Sequence, residues 1–196
     1  MKIAVISDIH ENFHNLILSL EDMNAKGVEK ILCLGDLMNA GIAKILAAQE
    51  IPTYMIWGNN DGEKVDIMIA SYRKDSNLDV SLNTYDFLDI DGRLIFISHY
   101  NDLAAPMAQT GLYDAVFYGH NHLQKKETVN NTLVVNPGEL CAQKTGNCTY
   151  AIYNTETNDA EIITLENSIS LKSDLVSEYL NKHRDKLQFR SKDSFQ

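Results

Sequence analysis

Seven side chains of this 196-residue chain are of types that hold divalent metal ions, and each lies directly after a short apolar run. IAVIS leads into Asp8-Ile9-His10, ILCLG into Asp36, YMIWG into Asn59-Asn60-Asp61, LIFIS into His99, and AVFYG into His120-Asn121-His122. The runs have the length and composition of strands. In open α/β sheets the carboxyl ends of strands line the ligand crevice, so these endings can converge on one place. The two-residue spacing of Asp8-x-His10 and His120-x-His122 points each pair to one side of an extended segment. Taken singly, an Asp after a strand is a cap or turn former, a His there is a structural hydrogen-bonder, and Asn-Asn-Asp-Gly is a turn. Taken together they leave only His14 and His183 outside the pattern.

Two Asp, four His and one Asn are too many for one four-coordinate zinc and suit two metals that share a carboxylate. Asp36, alone on its strand, is the natural bridge. Nitrogen and oxygen donors without thiolate suit Mn, Fe, Ni, Co or Zn rather than an all-oxygen Ca or Mg cage. Two such ions about 3.5–4 Å apart lower the pKa of a shared water and clamp both oxygens of an in-line displacement at phosphorus. Phosphoester hydrolysis is therefore the expected chemistry.

The ordered set Asp8-x-His10, Gly35-Asp36, Gly58-Asn59-Asn60-Asp61, His99 and Gly119-His120-x-His122 resembles the five motifs of the calcineurin-like metallophosphoesterase superfamily. Its short length and its Asn136-Pro137-Gly138 turn make it similar to the small YfcE-like phosphodiesterase branch, over residues 2–165. The resemblance implies an α/β fold, a four-layer αββα sandwich of two mixed β-sheets flanked by helices. It implies that Asp8, His10, Asp36 and His122 hold one divalent ion, and Asp36, Asn59, His99 and His120 the other. Mn2+ is a common activator in the family, and Ni2+, Fe, Co2+ or Zn2+ would also suit the donors. The implied activity is hydrolysis of a small phosphodiester by a metal-bridging hydroxide. A retromer subunit of the same fold uses its surface for partners, so a non-catalytic scaffold is the alternative. Scaffolds of this kind lose ligands, and none of the seven is missing here.

Asn60 and Asp61 are the candidate catalytic residues beyond the ligands. Many family members carry a His after the ligand Asn, where it protonates the leaving oxygen or stabilises developing charge. Asn60 can donate a hydrogen bond there but cannot act as a general acid near neutral pH, which favours diesters with good leaving groups. Asp61 either orients Asn60 and the groups behind the ligands or serves a plain turn. Glu11 stands where family members usually have Gly, and either narrows the entrance or lies in solvent. Asn12 caps a helix or reaches substrate, and Trp57 and Tyr100 either stack on substrate or are packed.

The elements that must position these residues follow from periodicity. Strands are expected at Ile3–Ser7, Ile31–Leu34 and Tyr54–Trp57, alternating with helices over Asn12–Lys26, Ala40–Glu50 and Glu63–Tyr72, the pattern of βαβ units and a mostly parallel sheet. The first helix should bury Phe13, Leu16, Leu20 and Met23 and stop at Gly27. Asp91-Gly92 should join Tyr85–Ile90 to Leu94–Ser98 as a hairpin, and Asn130-Asn131 should do the same around Val129 and Val134. Tyr150–Tyr153 and Glu161–Thr164 make a further pair, so the second half is expected to be largely antiparallel, with loops at 73–83 and 100–112.

Residues 1–165 form the expected catalytic domain, and 166–196 a C-terminal helical tail. The tail carries a charge balance of +1 against -11 for the rest. Its stripe of Leu171, Leu175, Tyr179, Leu180, His183 and Leu187, with Ser173 as cap, is expected to pack on the body or on a second copy in a homo-oligomer. The formal net charge of -10 argues against broad nucleic-acid binding, which needs clustered Lys and Arg. No apolar run approaches the ~20 residues of a membrane span, and the start shows no signal-peptide pattern. Three cysteines cannot all pair within one chain, and Cys33 sits in an apolar run. A cytoplasmic protein acting on a small phosphoester is the expectation.

Overall fold

Alternation within the first strand already separates the layers. The computed structural model describes residues 1–183, and in β1 (Lys2–Ile6) Ala4 and Ile6 face a helical layer while Ile3 and Val5 face a second sheet. Successive side chains of a strand point to opposite faces, so one strand feeds two cores. The chain continues through α1 (Phe13–Ala25), β2 (Lys30–Cys33), α2 (Ala40–Ala48), β3 (Thr53–Met55), α3 (Lys64–Ser71) and β4 (Leu78–Val80). It then crosses to β5 (Tyr85–Ile90), β6 (Arg93–Ser98), α4 (Asn101–Gln109), β7 (Ala115–Tyr118), β8 (Lys125–Val129) and β9 (Thr132–Asn136). β10 (Thr149–Asn154) and β11 (Asp159–Thr164) return to the first sheet, and α5 (Ser173–Lys182) follows.

The six-stranded sheet has the order β11-β10-β1-β2-β3-β4, and the five-stranded sheet the order β5-β6-β7-β9-β8. Helices α1 to α3 cover the outer face of the first through Leu16, Leu20, Met23, Ile42, Leu46 and Ile67. The sheets pack on each other through Ile3, Val5, Leu32, Leu34, Ile95, Ile97 and Phe117. Ala104 and Ala108 of α4 cover Phe96, Val116 and Val134 on the far face. This is the αββα sandwich expected from the sequence.

Both predicted hairpin turns form, with Asp91-Gly92 and Asn130-Asn131 in the positive-φ conformations such turns need. Other expectations are corrected. The second half is mixed rather than largely antiparallel, because β6–β7 and β7–β9 pair in parallel. The segment 73–83 contains β4, and 100–112 contains α4, which no side chain caps and which carries Pro106 internally. Phe13 is 62% exposed, and the buried face of α1 instead includes the polar Asn15 and Ser19. In the tail α5 begins at Ser173 itself, Leu171 and Leu180 are exposed, and Leu187 lies outside the described residues. No helix among the described residues is long and apolar enough to cross a membrane.

Candidate metal centre

Three of the five strands that lead to a candidate ligand, β1, β2 and β7, end by turning sharply. Asp8, His10, Asp36, His120 and His122 all have positive φ, between 42° and 70°. Such backbone costs a non-glycine residue on the order of 1 kcal/mol each and persists only where the surroundings over-determine it. Here the surroundings are the other loops. The backbone N–H groups of Ile9 and His10 donate to Asp36 O, Gly119 N–H donates to His99 O, and Cys141 N–H donates to Asp8 O. One loop therefore cannot relax without moving the next.

The lacing brings all seven predicted ligands together. His10 Nε2 lies 3.7 Å from Asp8 Oδ1 and 3.5 Å from Asp36 Oδ2. His122 Nε2 is 3.5 Å from Asp8 Oδ1, and His99 Nε2 is 3.6 Å from Asp36 Oδ2 and 3.0 Å from Asn59 Oδ1. The His120 ring centroid is 5.1 Å from that of His99, and its backbone N–H donates to Asp8 Oδ2. Asp8, Asp36 and His99 are buried, His10 and His122 half-buried, and Asn59 and His120 exposed. The centre thus has a dry floor and an open rim.

Three histidines share one orientation. Nδ1 of His99 meets Leu34 O at 2.7 Å, Nδ1 of His122 meets Glu139 Oε2 at 2.5 Å, and Nδ1 of His10 meets Met38 Sδ at 3.3 Å. These partners accept and do not donate, so each Nδ1 carries a proton, and in the neutral ring, the form that binds a metal ion, Nε2 presents its lone pair inward. The inward lone pairs face carboxylate and amide oxygens, which are also lone-pair donors. Asp8 Oδ1 and His10 Nε2 are buried without a hydrogen-bond partner. A cation satisfies both halves of that arrangement, and the donor set fits a divalent ion. Burial works to raise the Asp8 carboxyl and to lower the His10 imidazole. The attraction between the Asp8 carboxylate and the protonated His10 ring, with help from their charged neighbours, wins in both cases and holds Asp8 below and His10 above its usual range, so a proton on His10 and a metal ion compete for the same place.

Asp61 is not a plain turn residue. Its carboxylate accepts from the backbone N–H of Asp36 (3.0 Å), Met38 (2.9 Å) and Gly58 (2.7 Å), stapling the Asp36 loop to the Asn59 loop. Asp61→Asn puts an N–H where one of these donors points and should cost about 2–3 kcal/mol, read as a lower urea midpoint. A midpoint equal to that of the native chain would refute the stapling role. Asn60 donates both its backbone N–H and its Nδ2 to the Asp36 carboxylate, at 2.7 and 2.8 Å. Glu11 lies in solvent, as the second of its two readings has it, and there accepts from Asn39 Nδ2, the residue that caps α2. Asn12 caps α1. Trp57 is packed in the core with Lys64 over its ring, whereas the Tyr100 ring remains 5.1 Å from that of His120.

The residue that sequence reasoning passed over is Glu139. It is fully buried, and its carboxylate accepts from His122 Nδ1, Cys141 Sγ, the backbone N–H of Lys144 and Thr145, and Thr145 Oγ1. Burial favours the neutral acid, but these donors outweigh it and hold the carboxyl down at about 2. One signal was available. Glu139 is the single charge in the run from Leu133 to Ala142, where burying an unpaired carboxylate would be prohibitive.

Residues 1–158 match the model of the calcineurin-like phosphoesterase superfamily domain. The chain is 36% identical over 171 residues to phosphodiesterase MJ0936 of Methanocaldococcus jannaschii, covering 85% of this chain and 100% of that protein. The solved structure of an archaeal phosphodiesterase superposes with a TM-score of 0.76 at 30% identity, over 84% of this chain and 100% of that one. The E. coli phosphoesterase Yfce superposes with a TM-score of 0.62 at 21% identity, over 85% of this chain and 100% of that one, a likeness of fold.

Proposed function

The chain belongs to the calcineurin-like phosphoesterase superfamily, and from that premise we propose that it is a dinuclear metal-dependent phosphodiesterase acting on a small phosphodiester. The observation that carries this reading is the inward convergence of three histidine Nε2 atoms on Asp8 and Asp36, with Asp8 Oδ1 and His10 Nε2 left without partners. Asp8, His10, Asp36 and His122 would hold one divalent ion, and Asp36, Asn59, His99 and His120 the other, with Mn2+ as the proposed metal. Once bound, such a pair would supply charge against the phosphoryl oxygens and make hydroxide available near neutral pH. Asp36 joins the two halves, and Asp61 keeps the Asp36 and Asn59 loops in register. The exposed rim formed by Asn59, Asn60 and His120 is where a diester enters. The presence and convergence of all seven donors favour this reading over the scaffold one.

Wild-type chain stripped of metal should not hydrolyse bis-p-nitrophenyl phosphate, and added Mn2+ should restore turnover. Inactivity across Mn2+, Ni2+, Co2+, Fe2+ and Zn2+ would overturn the proposal. Asn60 bears on substrate choice. A His there brings a proton donor beside the Asp36 carboxylate, so Asn60→His should raise phosphomonoesterase activity relative to diesterase activity. An unchanged ratio would mean that the position lies away from the leaving group.

A further inference from the structure

Three histidines turn Nδ1 away from the centre, but their partners differ in charge. His99 bonds a neutral carbonyl and His10 a thioether, whereas His122 bonds a carboxylate. A charged acceptor on Nδ1 makes Nε2 the stronger donor and fixes the ring's tautomer and aim. That carboxylate is itself immobile. Both of its oxygens are engaged by the 144–145 backbone, and Thr145 Oγ1 adds a fourth contact at 2.8 Å. The same segment reaches the other side of the centre, because Leu140 N–H donates to Ser7 O and Cys141 N–H to Asp8 O. Glu139 therefore stands at the root of a strap that holds two of the four ligands in the Asp8, His10, Asp36 and His122 half. Among the described contacts no carboxylate stands behind His99 in the same way.

We propose that Glu139 is a positioning residue: by holding His122 through its Nδ1–H it sets the metal affinity of the Asp8–His10–Asp36–His122 half and leaves the Asn59–His99–His120 half unchanged. The inference rests on the dinuclear reading above. The two halves are then unequal by construction, and the half backed by Glu139 fills first.

The test is calorimetric titration of Mn2+ into the metal-free chain, with bound metal counted independently. Wild type should show two events. Glu139→Gln removes the charge behind His122 and should weaken the tighter event roughly 10- to 100-fold, with the weaker event unmoved. Glu139→Asp keeps the charge but shortens the reach, and should weaken the same event. Thr145→Val removes a contact that holds the strap without touching His122, and should leave both events in place. In Co2+-loaded chain the visible absorption should shift in Glu139→Gln and not in Thr145→Val. Wild-type affinities in either folded Glu139 variant would overturn the proposal, as would an equal loss in Thr145→Val, which would assign the effect to the strap. A wild-type chain that binds no metal would overturn the dinuclear reading instead, so the two failures are distinguishable.

Discussion

Asp36→Ala is expected to lower kcat/KM for bis-p-nitrophenyl phosphate by on the order of 10⁴, about 5 kcal/mol of barrier. Asp36 Oδ2 faces His10 on one side and His99 on the other, at 3.5 and 3.6 Å, so its loss opens both halves of the centre at once. Two ions held without a common carboxylate would lose the spacing on which an in-line displacement depends. The fold should survive. The groups that Asp36 accepts from belong to exposed Asn60, which water can satisfy, and removing a carboxylate packed near Asp8 relieves repulsion in the metal-free chain. The unfolding free energy from urea denaturation should therefore stay within about 1 kcal/mol of wild type while Mn2+ stoichiometry falls. Activity within tenfold of wild type would remove Asp36 from the bridging role, and with it the two-metal account.

Gly58→Ala should act through shape alone. An added Cβ would meet Asp36 Oδ1 at 2.1 Å, Asp36 N at 2.5 Å and Asp36 Cγ at 2.8 Å. None of these is the far end of a flexible side chain. Asp36 sits in positive-φ backbone with its N–H bonded to Asp61, and Gly58 donates to that same Asp61 oxygen. The β3 ending must move outward, carrying Asn59 away from His99. Overpacking of this kind costs about 3 kcal/mol, and displacement near 1 Å at a reacting centre costs about 10²-fold in rate. Urea denaturation and steady-state kinetics on the same preparation should show both losses. A variant with native stability and native kcat would mean that the loops are more compliant than their lacing indicates.

The parts of this molecule that could be read from sequence are those in which one residue answers to one force. A strand buried on both faces must be apolar along its length, so its end is marked by the first residue that cannot be buried unpaired. That is why the apolar runs alone were enough to place Asp8, Asp36 and His99 at strand ends. The turns at Asp91-Gly92 and Asn130-Asn131 need positive φ and carry residues that tolerate it. Where a residue answers to a distant partner, the signal fades. Asn15 lies on the buried face of α1 because it bonds Leu140 O and Ile169 O, more than a hundred residues away, and beside it Ser19 is satisfied within the helix by Leu16 O. Polar residues on that face hid it, and Phe13 stood in for it. β4 has only three residues, and α4 has no side-chain cap and an internal proline, so neither shows a period long enough to read. Glu139 stood out in the sequence only as a lone charge in an apolar run, and the partner that gives that charge its meaning, His122, is distant in sequence.

The position of β1 has a consequence for how the molecule is made. β1 pairs with β2 on one side and with β10 on the other, so Ala4 meets Ile31 across one edge and Ile152 across the other. A nascent chain can lay down β2, β3 and β4 beside β1 as they leave the ribosome, but the other edge of β1 stays open until residues 149–154 arrive. The Ser7–Asp8 loop waits as well, since Leu140 and Cys141 tie it down. Closure across so many residues is slow, and an open edge on a hydrophobic strand invites pairing with another chain. Sheet closure and completion of the metal loops thus become one late event of synthesis, and chains that stop short of β10 will carry the donors without the centre.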